Sequence, residues 1–310
     1  MKKAPVYPPT SKIEDPAMRA DAALRCILLA LLHNLELNEQ GAIQGLSSEY
    51  LHDYRVAVRR TRSALGEFKA VFPPATRTRF RREFAWLGTL SSRVRDLDVY
   101  LLKFDRYQAA VPKKQRADLA PLRQYLQLKR HEEQIGHLAR ELQGSRYRRL
   151  KQRWRRYLES PLAKRPAAKD AARPIGVVAS QRIRRLHKRV LKQGRAITPA
   201  SAPAELHELR KTCKKLRYLM EFFQPLYPSE AIRAAIKALK QLQDNLGDFQ
   251  DLNVQIDAFD RFAREMRQNG HDNAATDKAM KVFLGELKRE KKAMRAKFDV
   301  WFKRFRHLFQ

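Results

Sequence analysis

Shifting this sequence by 155 residues lays one part of it on another without a gap. Phe68 falls on Phe223, Pro73 on Pro228, Leu87 on Leu242, Asp96 on Asp251, Leu97 on Leu252 and Val99 on Val254, and the run Phe104, Asp105, Arg106 falls on Phe259, Asp260, Arg261. A single offset that holds from residue 52 to residue 106 predicts an internal duplication, and a duplicated chain must fold into two equivalent units. Glycine is scarce, at 11 in 310 residues, and apolar residues recur at intervals of three and four, so those units are predicted to be helical. The fold class is all-α, with two equivalent helical bundles from an internal duplication.

The pattern sets the expected organisation. Residues 1–15 read as a flexible tail, 16–160 as the first bundle half, 161–174 as a linker rich in Pro, Ala and Lys, and 175–310 as the second half. In the first half, a helix is expected from Pro16 to Leu37, buried through Ala22, Leu24, Ile27, Leu28, Leu31 and Leu35, and a loop over Gly41–Ser47. Ser47 or Ser48 caps a second helix, which stops near Phe72, Pro73, Pro74; a third runs from Ala75 to Ser91 and a fourth from Asp96 to Ala110. One or two basic helices span Leu122–Leu158. The second half opens with a helix over Ile175–Leu191, repeats the four-helix set, and closes on a helix from Thr276 to Leu308 after the polar loop Gln268–Ala274.

Two of these helices carry the same charge pattern. A histidine is followed by basic residues three, seven and ten places on, as His52, Arg55, Arg59, Arg62 and as His207, Arg210, Lys214, Arg217. On a helix these offsets fall within an arc of about 80° along about 15 Å of axis. Like charges at such spacing repel by a few tenths of a kcal/mol per pair, so something negative is expected to lie against them. Opposite the stripes lie Tyr54, Val58, Thr61 and Leu65 in one copy and Leu209, Cys213, Leu216 and Met220 in the other, which predicts one buried and one offered face.

The whole chain has 65 Lys plus Arg against 33 Asp plus Glu, a formal net charge of +32. That balance names a polyanion as partner without saying which. Arginine forks and lysine point charges both suit phosphate oxygens, and histidine beside phosphate favours its charged form. Metal binding or acid–base chemistry by His52 and His207 with Asp96 and Asp251 is disfavoured amid so many cations. Asp96, Asp98, Asp248 and Asp251 are expected to hold stripe arginines or cap helices. No GxxxxGK[ST], HExxH or GxSxG pattern occurs. The tract of arginines between Arg146 and Arg156 adds charge without a discriminating pattern, as a solvated face. Two distant cysteines, Cys26 and Cys213, fit a reducing compartment, and neither a leader peptide nor an apolar run long enough to span a membrane is seen, so a soluble cytoplasmic protein is expected.

The residues that carry the stripes also carry a resemblance. The segment from Leu51, His52, Asp53, Tyr54, Arg55 to Arg59, Arg60, Thr61, Arg62, followed by Arg95, Asp96, Leu97, Asp98, Val99, resembles the CHAD domain, the conserved histidine α-helical domain. So does Leu206, His207, Glu208, Leu209, Arg210, Lys211 with Lys214, Lys215, Leu216, Arg217, Tyr218, then Leu246-Gly247 and Asp251. The resemblance covers nearly everything from residue 16 onward. It implies an all-α fold of two pseudo-symmetric four-helix bundles around a basic central channel that binds inorganic polyphosphate, with association with polyphosphate granules. His52, Arg55, Arg59, Arg62, His207, Arg210, Lys214 and Arg217 would line that channel, with Arg60, Lys211 and Lys215 as secondary positions. Ser91-Ser92 departs from the family's Leu-Gly, so the turn there is expected to differ between halves. The alternating ExExK signature of attached triphosphate-cleaving domains is absent. The expectation is a non-enzymatic binding module without cofactor or metal, whose partners are polyphosphate, granule proteins and a separate triphosphate or polyphosphate enzyme. The alternative is an RNA- or DNA-binding helical protein, although only Tyr218 lies close to a stripe. A third reading is a metal-assisted phosphohydrolase.

Overall fold

Ser47 begins the helix that carries the first stripe. Its hydroxyl accepts the Glu49 N–H at 3.2 Å and so starts the stripe helix α2, Ser48–Glu67, as the cap pattern predicts. The computed structural model describes residues 13–198, 200–270, 273–296 and 302. Before α2 lies α1 (Ala20–Gln44), and after it α3 (Pro74–Leu90), α4 (Ser92–Leu102), α5 (Phe104–Ala109), α6 (Ala120–Glu133), α7 (Arg140–Gln143) and α8 (Ser145–Glu159). A non-helical stretch leads to α9 (Ile175–Ala196), α10 (Pro203–Phe222), α11 (Ser229–Gln268) and α12 (Ala274–Ala296). No strand occurs among the described residues, only the single bridge of Arg19 with Pro174, and the fold is all-α.

The 155-residue offset reappears in the element boundaries. Ser48–Glu67 shifted by 155 is Pro203–Phe222, the second stripe helix, and Pro74 shifted by 155 is Ser229, where α11 starts. The difference comes at Ser91. There the first half breaks between α3 and α4, because the buried Ser91 hydroxyl donates to the Leu87 carbonyl at 2.7 Å and accepts the Arg55 guanidinium at 2.7 Å. Arg55 also takes the Gly88 carbonyl at 3.0 Å, so side chains satisfy the helix end in place of the next turn. The equivalent of Ser91 is Leu246, which has no hydroxyl. The expected separate third and fourth helices of the second half are therefore one helix of 40 residues.

Other boundaries moved for local reasons. The first helix runs on to Gln44, past the expected loop start at Gly41, and ends at Gly45 in the left-handed conformation (φ 63°), with the Leu46 N–H returning to the Gly41 carbonyl at 3.1 Å. Gly41 is needed where it stands: a Cβ there would lie 2.3 Å from the Tyr50 ring. The fourth helix starts at Ser92 instead of Asp96. In α1 it is Ala23 that is buried, and Ala22 is only half-buried. The expected tail is shorter than 15 residues, since Ile13 is buried and the Asp15 carboxylate accepts the Ala17 N–H at 2.8 Å; residues 1–12 lie outside those described. The final helix is described to Ala296, and most of its expected continuation to Leu308 lies outside the described residues.

The chain divides into two compact units, each drawing on both halves of the sequence. The first takes the chain up to Arg95, Gln134–Val190 and Thr212–Lys237. Its core joins Leu24, Leu28 and Leu31 of α1 with Tyr54, Val58 and Leu65 of α2, and an aromatic seam where Phe80 and Phe84 of α3 meet Trp154 of α8, ring centroids 4.4 and 5.5 Å apart. The stretch expected as a free linker is tied down in this unit: Asp170 N–H donates to Ala70 O at 2.8 Å, and Arg173 O accepts Ala20 N–H at 2.9 Å. The second unit takes Asp96–Glu133, Leu191–Lys211 and the chain from Ala238. Phe259 sits in its core against Tyr100, Tyr107 and Phe283, at 5.0, 5.2 and 5.0 Å, and each such ring contributes roughly 1.5–3 kcal/mol by burial.

Candidate functional site

The first stripe lies wholly in the first unit. Its helix is anchored as the pattern requires: Tyr54, Val58, Thr61 and Leu65 are all buried, and on α10 so are Leu209, Cys213, Leu216 and Met220. Burial pushes the Cys213 thiol up, which leaves it a neutral packing group. With those faces fixed, His52, Arg55 and Arg59 stand half-buried and Arg62 exposed on the other side of α2.

Their surroundings are cationic. Partial burial, with the charges of Arg95 and Arg59, pulls His52 down from its ordinary 6.5 to about 4, so at neutral pH the unbound imidazole is uncharged. Partial burial and the charge of Arg81 lower Arg62 as well. Arg95 and Arg81 are therefore part of the field at the stripe. Sequence spacing could not place them, because they reach it from α4 and α3. Arg95 also donates to the Ser48 carbonyl at 3.1 Å.

The second stripe lies along α10. Its first half, His207 and Arg210, belongs to the second unit and its second half, Lys214 and Arg217, to the first. Arg210 lies against Gly247, where a Cβ would come within 3.0 Å of its terminal nitrogen, and pairs with Asp251 at 3.5 Å. Asp251 thus holds a stripe arginine, as expected. Asp98 does not: it is buried and pairs with Arg130 of α6 at 3.0 Å. Asp248 lies beside Asp251 and Asp244, and burial chiefly raises its carboxyl above the usual range.

Within the first unit α2 meets the second half of α10. Arg60, only 3% exposed, is ion-paired with Glu221, and Lys215 pairs with Glu67 at 3.1 Å. The two basic residues are equivalents under the 155-residue offset, and each reaches an acid on the last turn of the other helix. Glu221 also takes Arg217 of the second stripe at 3.4 Å. Phe68 and its equivalent Phe223 pack edge to face at 5.6 Å beside this clasp. Arg60 and Lys215, read from sequence as secondary phosphate positions, thus have their charges committed to carboxylates. Lys211 is exposed and pairs with Glu208 at 2.6 Å.

Two features bear on the chemistry. Tyr218, next to Arg217, is buried, with Arg60 and Arg217 guanidinium carbons 5.3 and 5.4 Å from its ring centroid, and offers no face to a base. Among the described residues no group of three His, Cys, Asp or Glu is placed to hold a metal, and no helix is long and apolar enough to cross a membrane.

Comparison with known proteins agrees with this architecture. The structure is similar to the crystal structure of the CHAD domain from the plant Ricinus communis, with a TM-score of 0.75 and 29% identity over 93% of this chain and 92% of that one. It is also similar in fold to PptA from Streptomyces chartreusis, with a TM-score of 0.70 and 18% identity over 92% of this chain and 100% of that one. Among curated proteins none matches. The CHAD domain family model matches residues 26–260, more than half of the chain, and the chain belongs to the CHAD domain family.

Proposed function

We propose that this protein binds inorganic polyphosphate without cleaving it, holding the phosphate chain along the two His/Arg/Lys stripes. The observation that carries the reading is the clasp in the first unit, where Glu221 takes both Arg60 of α2 and Arg217 of α10. It ties the first stripe to Lys214 and Arg217 of the other within one unit, so that one flexible chain of closely spaced charges can meet these residues together. Family membership supports the same ligand class. Each contact neutralises a phosphate and returns counterions, so affinity falls steeply with salt. The stripes join a basic channel in this reading, and the protein works at polyphosphate granules, with hydrolysis left to a separate enzyme.

A competition titration separates this from nucleic-acid binding. At equal phosphate concentration, single-stranded RNA is expected to displace polyphosphate poorly, because Tyr218, beside Arg217 of the second stripe, is buried and offers no stacking face. Ready displacement by RNA would end the proposal.

His52 gives the reading a pH dependence. Its depressed value means the unfolded chain binds more protons than the folded one between about 4 and 6.5, so this histidine costs stability as pH falls through that window. A bound phosphate chain reverses the local field and favours the charged ring. Polyphosphate affinity is therefore expected to rise as pH falls from 7 toward 5, with proton uptake on binding, and His52→Gln is expected to reduce that slope. Calorimetric titration in buffers of different ionisation enthalpy measures the uptake. An unchanged slope in His52→Gln would exclude this histidine from the bound site.

A further inference from the structure

The arginine tract of α8, which reads in the sequence as a solvated face, repeats the spacing of the two stripes. Arg146, Arg149, Arg153 and Arg156 stand at offsets of zero, three, seven and ten, and all four are exposed. The other side of α8 is the anchor, with Tyr147, Leu150, Trp154 and Leu158 buried. We propose that this third stripe, with Arg79 and Arg82 of α3, forms a second anion site that binds a run of adjacent phosphoryl groups.

The geometry supports a built groove and not merely a charged surface. Three of the four α8 arginines face Arg79 and Arg82 across a cavity of about 510 Å³ whose lining contains one carboxylate, that of Glu83. Both walls belong to the first unit, and the Phe80, Phe84 and Trp154 seam packs α3 onto α8. Glu83 is occupied, pairing with Arg146 at 3.0 Å. Among the described residues Arg79, Arg82, Arg149 and Arg153 have no carboxylate partner. Five guanidinium groups brought to one groove repel each other in the absence of a ligand, and a compact, multiply charged anion removes that cost.

The lining also selects the ligand class. Arg146 already covers Trp86 at 4.0 Å from its ring centroid, and Phe80 and Leu150 are buried, so the groove offers neither a stacking platform for bases nor an apolar edge for a membrane. Adjacent phosphoryl groups match paired arginine forks. They could come from the end or middle of a polyphosphate chain or from a nucleoside triphosphate. The site stands independently of the α2 and α10 stripes.

The test is calorimetric titration of the full chain with tripolyphosphate, comparing the native protein with Arg149→Ala/Arg153→Ala and with Arg59→Ala/Lys214→Ala. Native protein is expected to bind at two classes of site. The α8 variant should lose one of them, or weaken it by roughly fivefold or more, and keep the other. Because its side chains are exposed it should keep native circular dichroism, and Arg82→Gln on the facing helix provides a second variant with the same expected loss. Persistence of both classes at native affinity in the α8 variant and in Arg82→Gln overturns the proposal. So does displacement of tripolyphosphate from this site by oligouridylate at equal phosphate. Parallel titrations with ATP and with long-chain polyphosphate assign the source: tighter binding of either at the α8 site supports the proposal and names it, whereas no binding of any of the three there defeats it. Loss of binding confined to Arg59→Ala/Lys214→Ala, with the α8 and Arg82 variants binding as the native protein does, likewise overturns it.

Discussion

Replacing Arg59 and Lys214 together by alanine is expected to weaken polyphosphate binding by roughly tenfold or more, each lost charge-assisted contact being worth about 1.5 kcal/mol or somewhat less in partial exposure. The two residues occupy the third position of each stripe and are half-buried. They sit on helices whose opposite faces are fully packed, so helicity and unfolding midpoint should stay near native values. The salt dependence should fall as well, since fewer phosphates are neutralised. Filter binding or calorimetry across a salt series, beside circular dichroism, reads all of this. Loss of helicity would make the stripes structural, and an unchanged affinity with an unchanged salt slope would remove them from the site. The double variant also asks whether both stripes act on one chain. If they do, the two single substitutions weaken one binding event in multiplied steps, whereas separate sites would each lose binding independently.

The stripe helices were legible in the sequence because everything that sets them is local. Ser47 starts one of them and a 3.6-residue period sorts its residues into an anchored and an offered face, although the helix ends at Glu67, before the stop expected near Phe72, Pro73, Pro74. The 155-residue offset then carries those bounds onto α10. What escaped was whatever a partner helix decides. The break at Ser91 depends on Arg55 reaching it from α2, and the continuity of α11 on a leucine standing where that hydroxyl would be. Arg60 and Lys215 look like two more cations beside a stripe until Glu221 and Glu67 are found opposite them. The cationic field of Arg95 and Arg81 was equally hidden. Even the α8 spacing, plain in the sequence once noted, gains meaning only from the α3 arginines that face it.

Arg60→Ala tests the clasp, and its expected effect is on stability. The guanidinium is 4% exposed in its side chain and Glu221 19%, so alanine removes one partner of a nearly buried pair. Such a deletion costs about 3 kcal/mol or more, because a desolvated carboxylate is left behind. Arg217, at 3.4 Å, compensates only in part, and the space between Tyr218 and Phe222 is left underpacked. Lys215→Ala is the internal comparison. Its side chain is 40% exposed, so the loss should stay below about 1 kcal/mol although the pairing looks the same on paper. Urea unfolding of both variants measures the difference. A further variant, Arg60→Met with Glu221→Leu, removes both charges and refills the space with apolar atoms, and it should recover most of the stability that Arg60→Ala loses. If polyphosphate affinity stays low in that restored protein, Glu221 acts by setting where Arg217 and the first stripe stand. A native unfolding midpoint in Arg60→Ala would show instead that the guanidinium is not part of the core that joins α2 to α10.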